Sequence, residues 1–160
     1  MKNVRAVAAA MVLGVAAQAA AASAVPVSIP DRVRGSEQVV VATISDLRAS
    51  YETNEFGDKL IVSHVRLQVH ERLKGDLPSG ADVDVEGGTV GDITMDVSSL
   101  PHVSRGDRAV FFLERNPYSG RLVPHLQGQG VLMLDSNDRV KGTSLDLNTV
   151  RALAASANGR

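Results

Sequence analysis

The chain has 160 residues, no cysteine, few aromatic residues and a formal net charge of −1. This length suits a single domain, and the lack of cysteine excludes disulfides, cysteine-ligated zinc and thiol chemistry. The slightly acidic balance argues against a nucleic-acid partner, because such partners are normally met by a basic surface.

The first 24 residues are predicted to be a secretory signal peptide. Lys2 and Arg5 form a basic start, an alanine-rich apolar run follows over residues 6–17, and Ala22 and Ala24 supply the small residues of a cleavage site. The run is shorter than the about 20 residues that a membrane-spanning helix needs. We therefore expect export to the periplasm or the medium, with no membrane span after cleavage. Removing Lys2 and Arg5 leaves 15 basic and 18 acidic residues, so the mature net charge is −3.

The mature chain is predicted to be an all-β domain that ends in a short helix. Residues 25–36 contain two prolines and read as an extended lead-in, and the strands follow in residues 37–142. A first strand, apolar on both faces at its start, lies within residues 37–47, and residues 50–58 form a polar turn. Residues 143–160 change to a helical period and form a short helix and tail, with Ser144 or Asp146 as its cap.

The clearest strand follows the polar turn and ends at Lys74-Gly75. From residue 61 to residue 69 the odd positions carry Ile, Ser, Val, Leu and Val, whereas the even positions from 64 to 70 carry His, Arg, Gln and His. This period of two predicts one buried face and one exposed face.

Shorter strands are predicted over residues 82–86, 92–97, 107–114 and 121–125, and a last hairpin over residues 130–141. Residues 87–91 break the alternation with three glycines, and the run at 109–113 is hydrophobic enough for a central strand. Several short strands separated by turns indicate a small OB-like barrel or, alternatively, a β-sandwich.

Six features follow one another along the chain: the valine-rich first strand, Leu73-Lys74-Gly75, Gly87-Gly88, Pro101, Gly106-Asp107 and Phe111-Phe112-Leu113. Their order resembles a family of small exported bacterial domains of unknown activity. More distantly, it is similar to the OB barrel of netrin-like domains and tissue metalloprotease inhibitors. The resemblance covers residues 37–135 and implies the barrel fold. The inhibitor mechanism is not implied, because it uses an N-terminal cysteine to ligate the protease zinc and this chain has none.

Acidic residues form the best candidate for a ligand or partner surface. Asp82, Asp84 and Glu86 alternate along one strand and therefore share its exposed face. If residues 92–97 fold back beside that strand, Asp92 and Asp96 join the same side. Such carboxylates suit glycoside hydrolysis or calcium binding. The simpler interpretation is an ordinary solvated face, on which cross-strand His64, Arg66 and His70 reduce the repulsion between the carboxylates.

A second candidate is the loop that holds Ser98, Ser99 and His102, next to Asp96. A serine beside a histidine invites a nucleophilic interpretation, but the sequence supplies neither a nucleophile elbow nor a preformed oxyanion hole. We include His102 in the predicted ligand surface and assign no catalytic residue. His64 and His70 lie about 20 Å apart on an extended strand, too far to share a metal, so neither a metal nor a cofactor is predicted.

These observations favour an exported, non-catalytic module that binds a protein or an envelope component. One alternative is a hydrolase that uses the acidic strand face or the serine–histidine loop. Another is a purely structural companion domain to a secreted partner.

Overall fold

The computed structural model describes residues 26–98 and 100–159. The predicted signal peptide and Ser99 lie outside the described residues. The helices are α1 (Ile29–Gly35) and α2 (Leu147–Asn158), and a 3₁₀ turn spans Gln127–Gly130. The strands are β1 (Gln38–Thr53), β2 (Lys59–Lys74), β3 (Gly80–Glu86), β4 (Gly88–Val90), β5 (Ile93–Met95), β6 (Arg108–Arg115), β7 (Leu122–Pro124) and β8 (Val131–Met133).

Five strands close into a ring, in the order β1-β2-β3-β7-β6 and back to β1. The contact of β3 with β7 is parallel and is made at Val83 and Leu122, whereas the other neighbours in the ring are antiparallel. β8 adds to the ring beside β6. This architecture confirms the predicted all-β, barrel-like fold with a C-terminal helix.

The first two strands are long, 16 residues each, and form the longest pairing of the barrel. The register of β1 against β2 shifts at three places, and such bulges bend a strand. Because β1 is bent, its residues 38–43 pair with β6 on one side while they pair with β2 on the other. β1 runs further than predicted, to Thr53, because residues 48–53 continue to pair with 59–64. The turn is therefore shorter than expected, and the Asn54 side chain closes it by accepting hydrogen bonds from the amides of Phe56 and Asp58.

The barrel interior confirms the alternation predicted for β2. The odd positions from Ile61 to Val69 are buried, whereas Arg66, Gln68 and His70 are exposed and His64 is half-buried. Interior side chains of all five ring strands meet in one cluster, which includes Val40, Ile44, Val65, Leu67, Val83, Val85, Phe111, Leu113 and Leu122.

A second core lies outside the barrel, between the β1–β6 wall and both helices. Its largest side chain is that of Phe112, which packs with Val39, Val41 and Val110 against apolar residues of α1 and α2. The start of β1 and most of β6 are therefore buried on both faces, which explains why their sequences are apolar without alternation.

The lead-in over residues 25–36 was expected to be extended, and that expectation is wrong for residues 29–35. Ser28 caps α1 by accepting the amide of Asp31, and a proline lies in the first turn, where it is tolerated. Lys74 of β2 donates to the carbonyls of Val33 and Ser36 at the other end of α1. A helix of two turns has too few residues for a clear period, so its stability depends on these tertiary contacts.

The C-terminal helix begins where predicted, with Asp146 as its cap. The Asp146 carboxylate accepts the amide of Thr149, and this hydrogen bond lowers the pKa of Asp146. Arg151 holds α2 to the barrel through a bidentate ion pair with Glu71 of β2, in which Nε donates to Oε1 and Nη2 donates to Oε2. In the part of the chain that the structure describes, neither helix has the length and hydrophobicity to cross a membrane.

Candidate binding cleft

The predicted pairing of charges across β2 and β3 is confirmed for two of its pairs. His64 lies opposite Asp84, with Nδ1 2.8 Å from Oδ1, and Arg66 lies opposite Asp82, with Nη1 2.7 Å from Oδ2. Glu86 differs, because the residue opposite it is Val62. His70 lies beyond the end of β3 and contacts Thr43 of β1 instead.

The other predicted site residues lie elsewhere. Residues 92–97 do not fold back beside β3: β5 pairs with β4 in a separate two-stranded sheet, and Asp92 stands exposed in the turn between them. Asp96 and His102 are near each other, 3.9 Å apart, but both are largely exposed. Gly87 and Gly88 explain the difference, because both have positive φ and turn the chain out of β3 into the hairpin. Of the six predicted residues, Glu86, Asp96 and His102 line one cleft of about 590 Å³, and Asp84 joins Glu86 in the lining of a second cleft. That the six form one ligand surface stays a prediction.

Two charged residues that the sequence analysis did not select join the acidic strand. Arg121, just before β7, donates to Asp84 Oδ2 at 2.8 Å and to Glu52 Oε1 at 3.1 Å. The hydrogen bond to Asp84 and the charge of that carboxylate raise the pKa of Arg121. Only the parallel closure of β3 against β7 brings this arginine to the strand. No local sequence signal could have found this contact, because 37 residues separate the partners.

A cleft of about 320 Å³ lies next to this charged group, on the outer side of β2 and β3. One end is formed by the β1–β2 turn, with Asn54 and Glu55, and the other by the β6–β7 turn, with Asn116 and Tyr118. Asn116 shapes its turn in the same way as Asn54, because its side-chain oxygen accepts the amides of residues 118 and 119. The Asx turns thus fix both ends of the cleft.

The lining of the cleft is acidic around an apolar floor. Leu60, Val62 and Val123 supply apolar surface, and Tyr118, 73% exposed, offers an aromatic ring at the rim. The acidic residues are Glu52, Glu55, Asp84 and Glu86. Among the described residues, no group of three or more histidine or acidic side chains is placed to hold a metal ion.

Charge compensation within the cleft is uneven. Arg121 forms ion pairs with both Glu52 and Asp84. The His64 ring contacts the same two carboxylates and adds charge compensation only when it is protonated. Glu55 and Glu86, by contrast, make no ion pair or side-chain hydrogen bond with any residue in the described ranges 26–98 and 100–159. The cleft therefore has a surplus of negative charge above an apolar floor.

Comparison with known proteins does not assign the chain to a family: no protein-family model matches it, and no curated protein matches it. The resemblance to small exported bacterial domains stays a prediction. The geometry of the barrel and its cleft is therefore the basis for the function proposed next.

Proposed function

We propose that this protein is an exported binding module that holds a positively charged segment of a protein or envelope component in the cleft over β2 and β3. The position of the cleft carries the proposal. OB barrels bind their ligands on the face of strands 2 and 3, between the loop that joins strands 1 and 2 and the loop that joins strands 4 and 5. The cleft occupies the same place here, with the β6–β7 turn as the second loop.

The charge of the cleft supports a cationic ligand. Nucleic acids and other polyanions would meet the carboxylates of Glu55 and Glu86 without a cation to offset them. A lysine or arginine side chain can lay its methylene groups along Leu60 and Val62 and bring its charged end to these carboxylates. The exposed ring of Tyr118 offers a cation–π contact at the rim.

Export is supported by the N-terminal sequence. The basic start, the alanine-rich run and the residues before Val25 form a signal-peptide pattern. Mass spectrometry of the protein recovered from cell fractions tests this part of the proposal. We expect a mature form that begins at Val25 and is found outside the cytoplasm, and a cytoplasmic full-length chain would contradict it.

Binding is tested by titrating the purified protein with a hexalysine peptide and with a hexaglutamate peptide of the same length. We expect hexalysine to bind with an affinity that falls as salt is raised, because exposed charges are screened over about 8 Å at physiological ionic strength. The double variant Glu55→Gln and Glu86→Gln should weaken this binding up to roughly tenfold, because each exposed ion pair contributes up to about 1 kcal/mol and about 1.4 kcal/mol is a factor of ten. Tyr118→Ala should weaken it to a smaller extent.

Asp92→Asn combined with Asp96→Asn is the matched control, because it removes two exposed carboxylates that do not line the cleft. This control should bind hexalysine as the parent does. Equal losses in the control and in the double variant would mean that net charge alone attracts the peptide, and the cleft would then not be the site. Tighter binding of hexaglutamate than of hexalysine would also refute the proposal.

A further inference from the structure

Three side chains beside the cleft form a continuous hydrogen-bonded chain across β1, β2 and β3. Ser50 Oγ lies 2.9 Å from His64 Nε2, and His64 Nδ1 lies 2.8 Å from Asp84 Oδ1. The register explains the arrangement: Asp84 is directly opposite His64, and Ser50 is opposite Val62, two residues along β2. Side chains two residues apart share a face, so all three project from the outer side of the barrel.

The order of atoms in this chain is that of a serine–histidine–aspartate triad. In the neutral tautomer with the proton on Nδ1, His64 donates to the Asp84 carboxylate and Nε2 accepts the hydroxyl proton of Ser50. Arg121 donates to the second oxygen of Asp84, so this carboxylate is held from two sides. Asp84 is also among the least exposed of the paired acidic side chains, at 15%, which strengthens its interaction with the ring.

Two further contacts of the imidazole complete its surroundings. Glu52 Oε1 lies 3.1 Å from Nε2, and Arg121 Nη1 lies 3.4 Å from Nδ1 while donating to both Glu52 and Asp84. Two carboxylates therefore lie against the two nitrogens of one imidazole. Arg121 keeps them in place, which makes it a positioning residue for both carboxylates.

We propose that Ser50 is a nucleophile that cleaves carboxylic esters at this edge of the cleft, with His64 as general base and Asp84 orienting the imidazole. Ser50 Oγ forms a bond to the acyl carbon while its proton moves to Nε2. The carbon–oxygen bond to the alcohol then breaks, and the alcohol leaves with the proton from Nε2. Water repeats the sequence on the acyl-serine, which regenerates Ser50 and releases the carboxylic acid.

The position of Ser50 also limits the substrate. It lies within the paired part of β1, opposite Val62, whereas serine hydrolases place the nucleophile where backbone amides can bind an oxyanion. The reaction therefore suits esters with a good leaving group, such as aryl esters, which need less oxyanion stabilisation than amides do. The proposed catalytic site rests on the distances among Ser50, His64 and Asp84 and not on peptide binding in the cleft. Ester hydrolysis and peptide binding are therefore tested separately, and either can fail without the other.

The primary experiment treats the purified protein with a fluorophosphonate and maps the adduct by peptide mass spectrometry. We expect one phosphonyl group on Ser50 and none in the Asp84→Asn variant. A folded parent protein that stays unmodified, or a label on another serine, would overturn the proposal. This measurement needs no variant of Ser50 and therefore does not depend on how that substitution folds.

Hydrolysis of p-nitrophenyl acetate gives the second readout. Ser50→Ala and His64→Gln should each lower the rate roughly 10²-fold, within the range that a general base contributes. Ser45→Ala is the matched control, because Ser45 also lies on β1 but its hydroxyl donates to the carbonyl of Arg66; it should keep the parental rate. Equal rates for the parent and Ser50→Ala, with both proteins folded, would assign the turnover to background reaction and refute the nucleophile.

Discussion

Truncation of Phe111 is the sharpest test of the barrel core. Its side chain is fully buried and belongs to the interior cluster. Phe111 pairs with Val40 of β1 on one side and with Val131 of β8 on the other, so it is held in the middle of the sheet and its surroundings have little freedom to collapse. Phe111→Ala should therefore cost about 3–5 kcal/mol of unfolding free energy, the range for buried phenylalanine.

The size of this loss decides how the variant behaves. A typical domain has about 5–15 kcal/mol of stability in total, so a loss near the upper end would leave a substantial unfolded population in a marginal domain. Phe111→Leu keeps most of the volume and should cost less than about 1.5 kcal/mol. The surface variant Tyr118→Ala should be within about 0.5 kcal/mol of the parent, because its ring is 73% exposed.

Urea denaturation followed by far-ultraviolet circular dichroism measures these differences, and the chain has no tryptophan to serve as a fluorescent probe. We expect the midpoint to fall in the order Tyr118→Ala, Phe111→Leu, Phe111→Ala, with unchanged slopes. A loss below about 1 kcal/mol for Phe111→Ala would refute the placement of this ring in a packed interior.

Three further predictions concern the turns and the helices. Gly88→Val should lower the melting temperature markedly, because Gly88 has φ +128° and an added β-carbon would overlap the Ser63 hydroxyl; a melting temperature equal to that of the parent would contradict this tight corner. The hydrogen bond from the Thr149 amide lowers the pKa of Asp146. The ionised Asp146 carboxylate therefore contributes to folding stability above the ordinary aspartate pKa of about 3.9, and this contribution is lost as pH falls through the lowered pKa. As pH is lowered, the free energy of unfolding should therefore fall less in Asp146→Asn than in the parent. Identical pH profiles for the two proteins would contradict a stabilising role of the Asp146 cap. Lys74→Met should speed hydrogen exchange in α1 but not in β6, because it removes the donor to the carbonyls at the end of α1. Unchanged exchange in α1 would show that apolar packing alone holds this helix on the barrel.

Several features of this protein follow from the sequence alone, because they depend on neighbours along the chain. The alternation over residues 61–69 identifies the buried face of β2, and this is a consequence of backbone geometry at each residue. The helical cap is equally local, since donor and acceptor lie three residues apart; the sequence left Ser144 and Asp146 as alternatives, and the structure has Asp146. The apolar run at 109–113 predicts a strand buried on both faces. Each of these predictions needs no knowledge of a distant partner.

Other features were decided by pairing between distant segments. The pairing of His64 with Asp84 could be anticipated from a meander of consecutive strands, but Arg121 reaches Asp84 only through the closure of β3 against β7. Ser50 meets His64 only because the register of β1 on β2 places it there, and a shift of one residue would turn it to the other face. Local periodicity determines which face of a strand is exposed to solvent. Strand register and barrel closure determine which exposed side chains meet, and these two properties belong to the tertiary structure.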